Sequence, residues 1–231
     1  MKLAELTWTG VAAVPPALIL AVPLGSTEQH GPHLPLSTDT RIAVALCERL
    51  ANARAEVMVA PAVAYGASGE HAGFAGTLSI GAEVLERLVV ELGRSATDTF
   101  AHVVFVSAHG GNAAAVTAAA RLLRAEGRDV LVHAPRWRDD LHAGYAETSL
   151  MLALEPSLVR QEDAVIGDTR SWAELEPLLR GGGVRSVSAN GVLGDPTGAS
   201  AAAGFELLDR LGVDLVAAVG SWRPSVVAAT R

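Results

Sequence analysis

Residues 17–40 read ALILAVPLGSTEQHGPHLPLSTDT, an apolar run that passes directly into histidines and carboxylates. A continuous apolar run of this length, closed by a glycine, is typical of a strand buried on both faces of a parallel sheet. Ligands of such sheets bind beyond the carboxyl ends of the strands. The stretch therefore predicts a strand at 17–25 whose carboxyl end opens into a ligand site.

The rest of the chain alternates between strand-like runs and helical periodicity. We predict strands at 56–66, 102–108 and 129–135, helices at 40–54, 82–100, 113–127, 141–156 and 201–222, and a long glycine-rich loop at 180–200. The last helix is either continuous or broken near Gly212. This alternation predicts the α/β class: a single-domain layered sandwich over residues 1–231, with a mostly parallel central sheet flanked by helices.

The composition indicates which classes of partner and which cellular compartment to expect. Of the 231 residues, 50% are hydrophobic and 19% charged, and the formal net charge is -7, so we expect no nucleic-acid partner. The most apolar stretch, 11–24, is too short to span a bilayer, and no secretory signal is visible, so we expect a cytoplasmic protein without a membrane partner. The single cysteine, Cys47, lies beside an apolar helical stripe and is expected in the core.

The segment after the first predicted strand carries three candidate metal ligands. Glu28 and His30 are two residues apart, so on an extended backbone they point to the same side. Gly31 and Pro35 favour a turn, which would bring Asp39 back toward them. Imidazole combined with carboxylates suits zinc, manganese or iron. A Glu-x-His pair by itself is a weak signal, because many solvated loops contain one.

The predicted strand at 102–108 ends in a second motif, HGGN, at residues 109–112. His109 is a candidate ligand, and Gly110 and Gly111 allow the backbone to turn sharply beside an ion or a substrate. Alone, the motif is more often a strand-to-helix turn with Asn112 as the N-cap. Because both motifs end parallel strands, a shared metal site is favoured.

A third group is HAGYAETS at residues 142–149. His142 has the chemistry for proton transfer near neutral pH, and Glu147 is a candidate for both a metal shell and catalysis. The alternative is a surface histidine beside ordinary helix-capping residues. His71 is a candidate substrate-pocket residue and His33 a candidate support of the first loop through hydrogen bonds. For both, an ordinary histidine without a role in the site is an equally good interpretation, and structural roles are expected for His102 and His133.

Five ordered segments resemble the creatininase family of metal-dependent amidohydrolases: PLGSTEQHGPHLPLSTDT (23–40), YGASGEHAGFAGTLS (65–79), HGGN (109–112), HAGYAETS (142–149) and GVLGDPTGAS (191–200). The resemblance implies an α/β sandwich core, a homo-oligomer that is often a hexamer, and a cofactor of one or two divalent ions, zinc, iron or manganese. It places metal ligands at Glu28, His30, Asp39 and His109, with Asp39 as the bridge between two ions. It also implies that His142 is the catalytic histidine.

One position departs from the family pattern. Creatininase itself has a glutamate ligand two residues after the histidine of the third-strand loop, where this chain has Gly111. We predict that Glu147 replaces that ligand, and we take the difference as evidence against creatinine as the substrate. The candidate substrate-binding residues are His71, Gly110, Gly111 and Asn112.

The resemblance implies hydrolysis of an amide bond by water activated on a metal. Within the family, the segments LTW (6–8) and HGPHLPLSTDTRIA (30–43) are most similar to those of the creatininase-like peptidases of mycofactocin biosynthesis. That similarity implies a modified precursor peptide as substrate and release of its cross-linked C-terminal Val-Tyr unit. A cyclic amide hydrolase or deformylase acting on a small heterocycle is the alternative. A nucleotide-binding protein is disfavoured, because the chain lacks the glycine-rich phosphate-binding motifs.

Overall fold

The fold is built on one parallel sheet, as the alternating pattern predicts. The structure, a computed structural model, describes residues 1–14, 18–137 and 141–223. The sheet has the order β2-β1-β3-β4, and each neighbouring pair is parallel. Its strands are β1 (Ile19–Leu24), β2 (Val57–Val59), β3 (His102–Ser107) and β4 (Val130–His133). Ala17, the first residue of the predicted β1, lies outside the described residues. The layered α/β prediction is confirmed.

Seven α-helices lie in the described ranges: α1 (Trp8–Ala12), α2 (Thr38–Ala53), α3 (Ala82–Ala96), α4 (Ala113–Ala125), α5 (Tyr145–Leu154), α6 (Trp172–Gly182) and α7 (Ala201–Trp222). The periodicity did not predict α1 and α6. For α6 a local signal exists, because Ser171 and Glu174 form a capping box. None of the helices described is both long and apolar enough to cross a membrane.

Several predictions need correction. The helices predicted at 82–100 and 141–156 are shorter, Ala82–Ala96 and Tyr145–Leu154, and the loop predicted at 180–200 begins inside α6. The strand predicted at 56–66 is shorter, because β2 ends at Val59 and Pro61 cannot donate to the ladder. The break considered near Gly212 does not occur, and α7 is continuous. A glycine costs a helix only about 1 kcal/mol relative to alanine. The buried Leu211 and Leu215 on either side of Gly212 supply more than this through packing.

The strands alternate between two apolar layers. Ile19 and Ala21 of β1 face the layer formed with α2, α5 and α7, which also buries Cys47 completely. Leu20 and Val22 face the opposite layer, formed mainly with α3 and α4. Both faces of β1 are therefore covered, as its uninterrupted apolar run predicts. The predicted core position of Cys47 is confirmed.

The sheet register decides where the polar motifs meet. Leu24, the last residue of β1, pairs with Ser107, the last residue of β3, so the two strands end at the same level. Gly25 lies so close to α2 that a Cβ atom added to it would be 2.3 Å from Thr40 Oγ1. This contact sets the first turn of α2 against the end of β1. Asp39, in that turn, is thereby brought beside the segments that follow both strands.

Candidate metal centre

The segments after β1 and β3 bring the predicted ligands together. His30 Nε2 lies 3.1 Å from Asp39 Oδ1, and His109 Nε2 lies 3.2 Å from Glu28 Oε2. His109 Nδ1 is also 3.4 Å from Asp39 Oδ2. All four side chains are buried. The two motifs therefore form one cluster, although 69 or more residues separate His109 from the others in the chain.

Asp39 lies at the middle of the cluster and is held from two sides. It is in the first turn of α2, where the positive end of the helix dipole favours a carboxylate. Its Oδ2 accepts a hydrogen bond from Ser26 Oγ at 2.5 Å. Sequence reasoning overlooked Ser26, although its place directly after β1 and before Glu28 is a usable signal. The short bond orients Asp39 toward both histidines.

Glu147 enters the cluster from the first turn of α5. Its Oε2 lies 3.8 Å from His30 Nε2 and accepts a hydrogen bond from the backbone N–H of Ala143 at 2.5 Å. Ala143 has a φ of 53°, a left-handed conformation that non-glycine residues rarely adopt. Glu147 thus stabilises an unfavourable turn next to His142 and presents a carboxylate to the centre.

Two ligand sets share one carboxylate. Glu28, Asp39 and His109 form one group whose donor atoms lie within 4.8 Å of one another, and His30, Asp39 and Glu147 form the other. A third overlapping group contains Glu28, His30 and His142. The arrangement has the composition expected of two neighbouring metal positions bridged by Asp39.

The carboxylate of Glu28 provides a test of whether a cation fits. Both of its oxygens are completely buried, and neither forms a hydrogen bond with any described residue. Ionised carboxylates are not normally buried without hydrogen bonds or a cation. Ring nitrogens of His71 and His109 lie 3.2 Å from these oxygens, without the geometry of hydrogen bonds. The residues therefore fit a divalent cation next to Glu28.

The charges of the cluster compensate one another in the metal-free protein. Burial opposes the charged form of His30, but Asp39, Glu147 and Glu28 together outweigh it and raise the pKa of His30 to about 10. Burial likewise opposes protonation of His109, yet Glu28, Asp39 and Glu70 together raise the pKa of His109 to about 10. Burial would raise the pKa of Glu28, whereas His109, His71 and His30 together hold it well below its usual value. The same attractions would favour an added cation.

His142 lies beside the cluster, and its pKa is shifted in the opposite direction from those of His30 and His109. The backbone N–H of His142 donates to the Leu193 carbonyl oxygen at 3.1 Å, and the Leu193 N–H donates to the His142 carbonyl oxygen at 2.9 Å. The Nε2 of His142 lies 2.8 Å from the carbonyl oxygen of Gln29 and 3.0 Å from the Gln29 amide nitrogen. The two hydrogens of that amide are taken by His71 Nδ1 and the Gly191 carbonyl oxygen, so Nε2 donates to the Gln29 carbonyl oxygen. Nδ1, 3.8 Å from Glu28 Oε1, is then the unprotonated nitrogen. Burial and the nearby His30 hold the pKa of His142 well below its usual value. The ring is therefore neutral and able to accept a proton.

Gln29 was overlooked, although it lies between two predicted ligands. Its Oε1 accepts from the Gly31 N–H at 2.9 Å, so its amide nitrogen is the atom that faces His71 Nδ1 at 2.9 Å. The same nitrogen donates to the Gly191 carbonyl oxygen at 3.0 Å. Because the amide nitrogen can only donate, Nδ1 of His71 accepts and Nε2 carries the proton. Gln29 thus orients His71 and ties the first motif to GVLGDPTGAS.

The candidate substrate-binding residues lie at different depths. His71 is buried, and burial lowers its pKa to about 4. Gly110 and Gly111 border a cavity at the centre. Asn112 is completely buried and does not cap α4; its side chain accepts from the Ala67 N–H at 2.9 Å and donates to the Gly25 carbonyl oxygen at 3.0 Å. Asn112 therefore holds the loops together and does not face that cavity.

His33 also supports the site from behind. Its Nε2 lies 2.8 Å from Thr148 Oγ1, which joins the first motif to α5. The predicted supporting hydrogen bond of His33 is confirmed. The expected structural placement of His102 is found as well, since its Nδ1 lies 2.9 Å from Asp129 Oδ2.

The fold and the two ligand sets define the class of protein: an α/β protein with a candidate dinuclear metal centre at the carboxyl edge of a parallel sheet. A family model described as "Creatininase: Creatinine amidohydrolase" matches residues 4–219. The chain belongs to the creatininase family, and the predicted resemblance is confirmed.

Two similar proteins are named mycofactocin precursor peptide peptidase. The one from Mycolicibacterium smegmatis is 49% identical over 212 residues, covering 89% of this chain and 86% of the relative. The one from Mycobacterium tuberculosis (strain CDC 1551 / Oshkosh) is 47% identical over 238 residues, covering 96% and 92%. A solved structure titled "Creatininase Mn" has 26% identity and a TM-score of 0.80, covering 97% of this chain and 99% of that one. These names agree with the predicted hydrolase of C–N bonds.

Proposed function

We propose that this chain is a metal-dependent peptidase that hydrolyses an amide bond of a modified precursor peptide, releasing its cross-linked C-terminal Val-Tyr unit. The observation that carries the proposal is the convergence of two buried ligand sets on Asp39, with the neutral ring of His142 beside them. The names of the two mycobacterial relatives support the peptide as substrate. One or two divalent ions, zinc, iron or manganese, would be the cofactor.

Glu28, Asp39 and His109 would hold one ion, and His30, Asp39 and Glu147 the other. A bound divalent ion lowers the pKa of water and polarises a carbonyl group. The chain itself supplies the charge that retains the ion and a dry environment, because these ligands are buried. Glu147 would replace the ligand that Gly111 cannot provide, as its position beside His30 and Asp39 suggests.

His142 would move the proton during the reaction. Its Nδ1 is unprotonated and faces the centre, while the Gln29 carbonyl oxygen fixes the ring through Nε2. The ring can therefore take a proton from the attacking water and return it to the departing nitrogen.

The test is mass spectrometry of the modified precursor peptide after incubation with protein loaded with zinc, manganese or iron. We expect two fragments from the wild type. Asp39→Ala should lose bound metal and turnover together, whereas His142→Ala should keep its metal and lose turnover. An intact peptide, with hydrolysis of creatinine or a formamide instead, would favour the small-amide alternative.

We further propose a cytoplasmic homo-oligomer, such as a hexamer. The single cysteine is buried and suits a reducing compartment. Large apolar side chains that are more than half exposed, including Trp8 and Val213, would be covered by neighbouring subunits. Light scattering coupled to size exclusion would measure the assembly, and a mass of 23.8 kDa would contradict it.

A further inference from the structure

A cavity of about 660 Å³ opens beside the metal centre and continues away from it. Its inner end contains His71, His109 and His142, and its outer wall is formed by α6 and the turn at Val184–Ser186. The outer wall is mostly apolar: Leu141, Trp172, Leu179, Val184 and Leu193. A cavity of this size holds an apolar fragment much larger than a single small ring.

One carboxylate, Glu70, lies at the inner end of this cavity. Its Oε1 is 3.6 Å from His109 Nε2, and its side chain remains 34% exposed. Among the described residues, His109 is the one group of opposite potential charge within 4 Å of it. The second glutamate of the cavity, Glu176, is instead paired with Arg180 at 2.7 Å. Within the described ranges, Glu70 therefore has no Lys or Arg partner, whereas Glu176 has one.

Gly111 makes room for Glu70. A Cβ atom added to Gly111 would lie 2.4 Å from Glu70 Oε1, 2.4 Å from His109 Nε2 and 2.4 Å from the Ala67 carbonyl oxygen. Contacts under 3.0 Å are not tolerated by real Cβ atoms. A side chain at position 111 is thus incompatible with the observed place of the Glu70 carboxylate. The missing side chain at position 111 and the Glu70 carboxylate at the inner end of the cavity are therefore one structural feature.

We propose that Glu70 binds the amino group of the fragment released from the amine side of the cut bond, with the apolar side chains of that fragment in the cavity. The inference rests on the proposed amide hydrolysis. In that reaction the C–N bond breaks, the oxygen of water joins the acyl carbon, and both water protons end on the nitrogen at neutral pH. The acyl product is a carboxylate and the amine product an ammonium ion. In the part of the chain that the structure describes, Glu70 has no Lys or Arg partner, and its carboxylate is placed to receive the ammonium.

The test measures binding without turnover. Val-Tyr amide and N-acetyl-Val-Tyr amide are titrated into metal-loaded protein by isothermal calorimetry. The free amine should bind about three- to fivefold more tightly than the acetylated peptide, in the range of a partly exposed charge pair. Glu70→Gln should abolish this preference, and Glu176→Gln, the matched control, should keep it. Circular dichroism confirms that both variants are folded.

Several results would overturn the proposal. Equal binding of both peptides to the wild type, binding of neither, or a preference that survives in Glu70→Gln would each do so. A preference that disappears on metal removal but persists in Glu70→Gln would assign the amino group to the metal. Failure to cleave the precursor peptide contradicts the proposed function only, because the preference for a free amine is measured separately.

Discussion

Replacing Glu147 tests whether the chain has two metal positions. In Glu147→Ala the set of His30, Asp39 and Glu147 loses one of its three ligands, while Glu28, Asp39 and His109 are untouched. We therefore expect the protein to retain one ion in place of two. The first set should keep its affinity, because its distances of 3.2 and 3.4 Å do not involve Glu147.

The size of the effect follows from the ligand count. Removing a residue that only orients a ligand costs about 10- to 100-fold in metal affinity. Glu147 is buried and faces His30 directly, so its loss should cost at least about 100-fold, or about 2.7 kcal/mol, at one position. The other position should change by less than about threefold.

The assay is mass-spectrometric metal analysis after dialysis against graded concentrations of a chelator. Glu147→Gln is the control, because its amide oxygen still accepts from the Ala143 N–H and preserves the turn next to His142. Both variants should lose the same ion if the charge of Glu147 matters. Two ions held with wild-type affinity by Glu147→Ala would refute the reasoning, and Glu70 would become the candidate replacement for the missing ligand.

Three further predictions follow from packing, from ring orientation and from charge. Gly204→Ala places a Cβ atom 1.9 Å from the Ser149 carbonyl oxygen, so it should lower the free energy of unfolding by about 3 kcal/mol. The Cβ atom of Gly181→Ala meets nothing within 4 Å, so this control should leave the free energy of unfolding unchanged. Denaturant titrations measure both. Gln29→Met should keep bound metal but lower kcat about 10- to 100-fold with little change in KM, and an unchanged kcat would contradict its positioning role. The metal-free protein should melt at a lower temperature as the pH rises from 6.5 toward 10. His30 and His109 bind protons more tightly in the folded than in the unfolded chain, which stabilises the fold fully below pH 6.5. This contribution is lost as the pH rises to about 10, where both side chains lose their protons. A melting temperature that rises over this range would refute the assignment.

The sequence alone predicts those features that local patterns encode. β1 has an apolar run without interruption, so both its burial and the position of Glu28 and His30 after it could be predicted. The same reasoning applies to His109 after β3. Since parallel strands end at one edge, the meeting of these residues also follows. The placement of Glu147 needed the family resemblance, because nothing local in α5 indicates which way that helix points.

Other site features depend on contacts that no local pattern contains. The role of Gln29 requires Gly191, which is 162 residues away and reaches it only through the fold. Gln29 also looks like a spacer between two ligands. Glu70 precedes His71 in a loop, and its place is defined by the missing Cβ of Gly111. The continuity of α7 past Gly212 depends on tertiary packing, which outweighs the weak helix propensity of glycine.

Gly111 lies where the candidate metal centre meets the cavity. With glycine there, the space beside His109 is taken by Glu70, and the carboxylate next to His30 and Asp39 comes from Glu147. Two carboxylates thus border the centre: Glu147 faces the candidate ligand set, and Glu70 faces the cavity. The ligand set by itself needs only Glu147. The Glu70 carboxylate can bind a positively charged product on the cavity side. Peptide hydrolysis forms such a product, because the released amine is protonated at neutral pH.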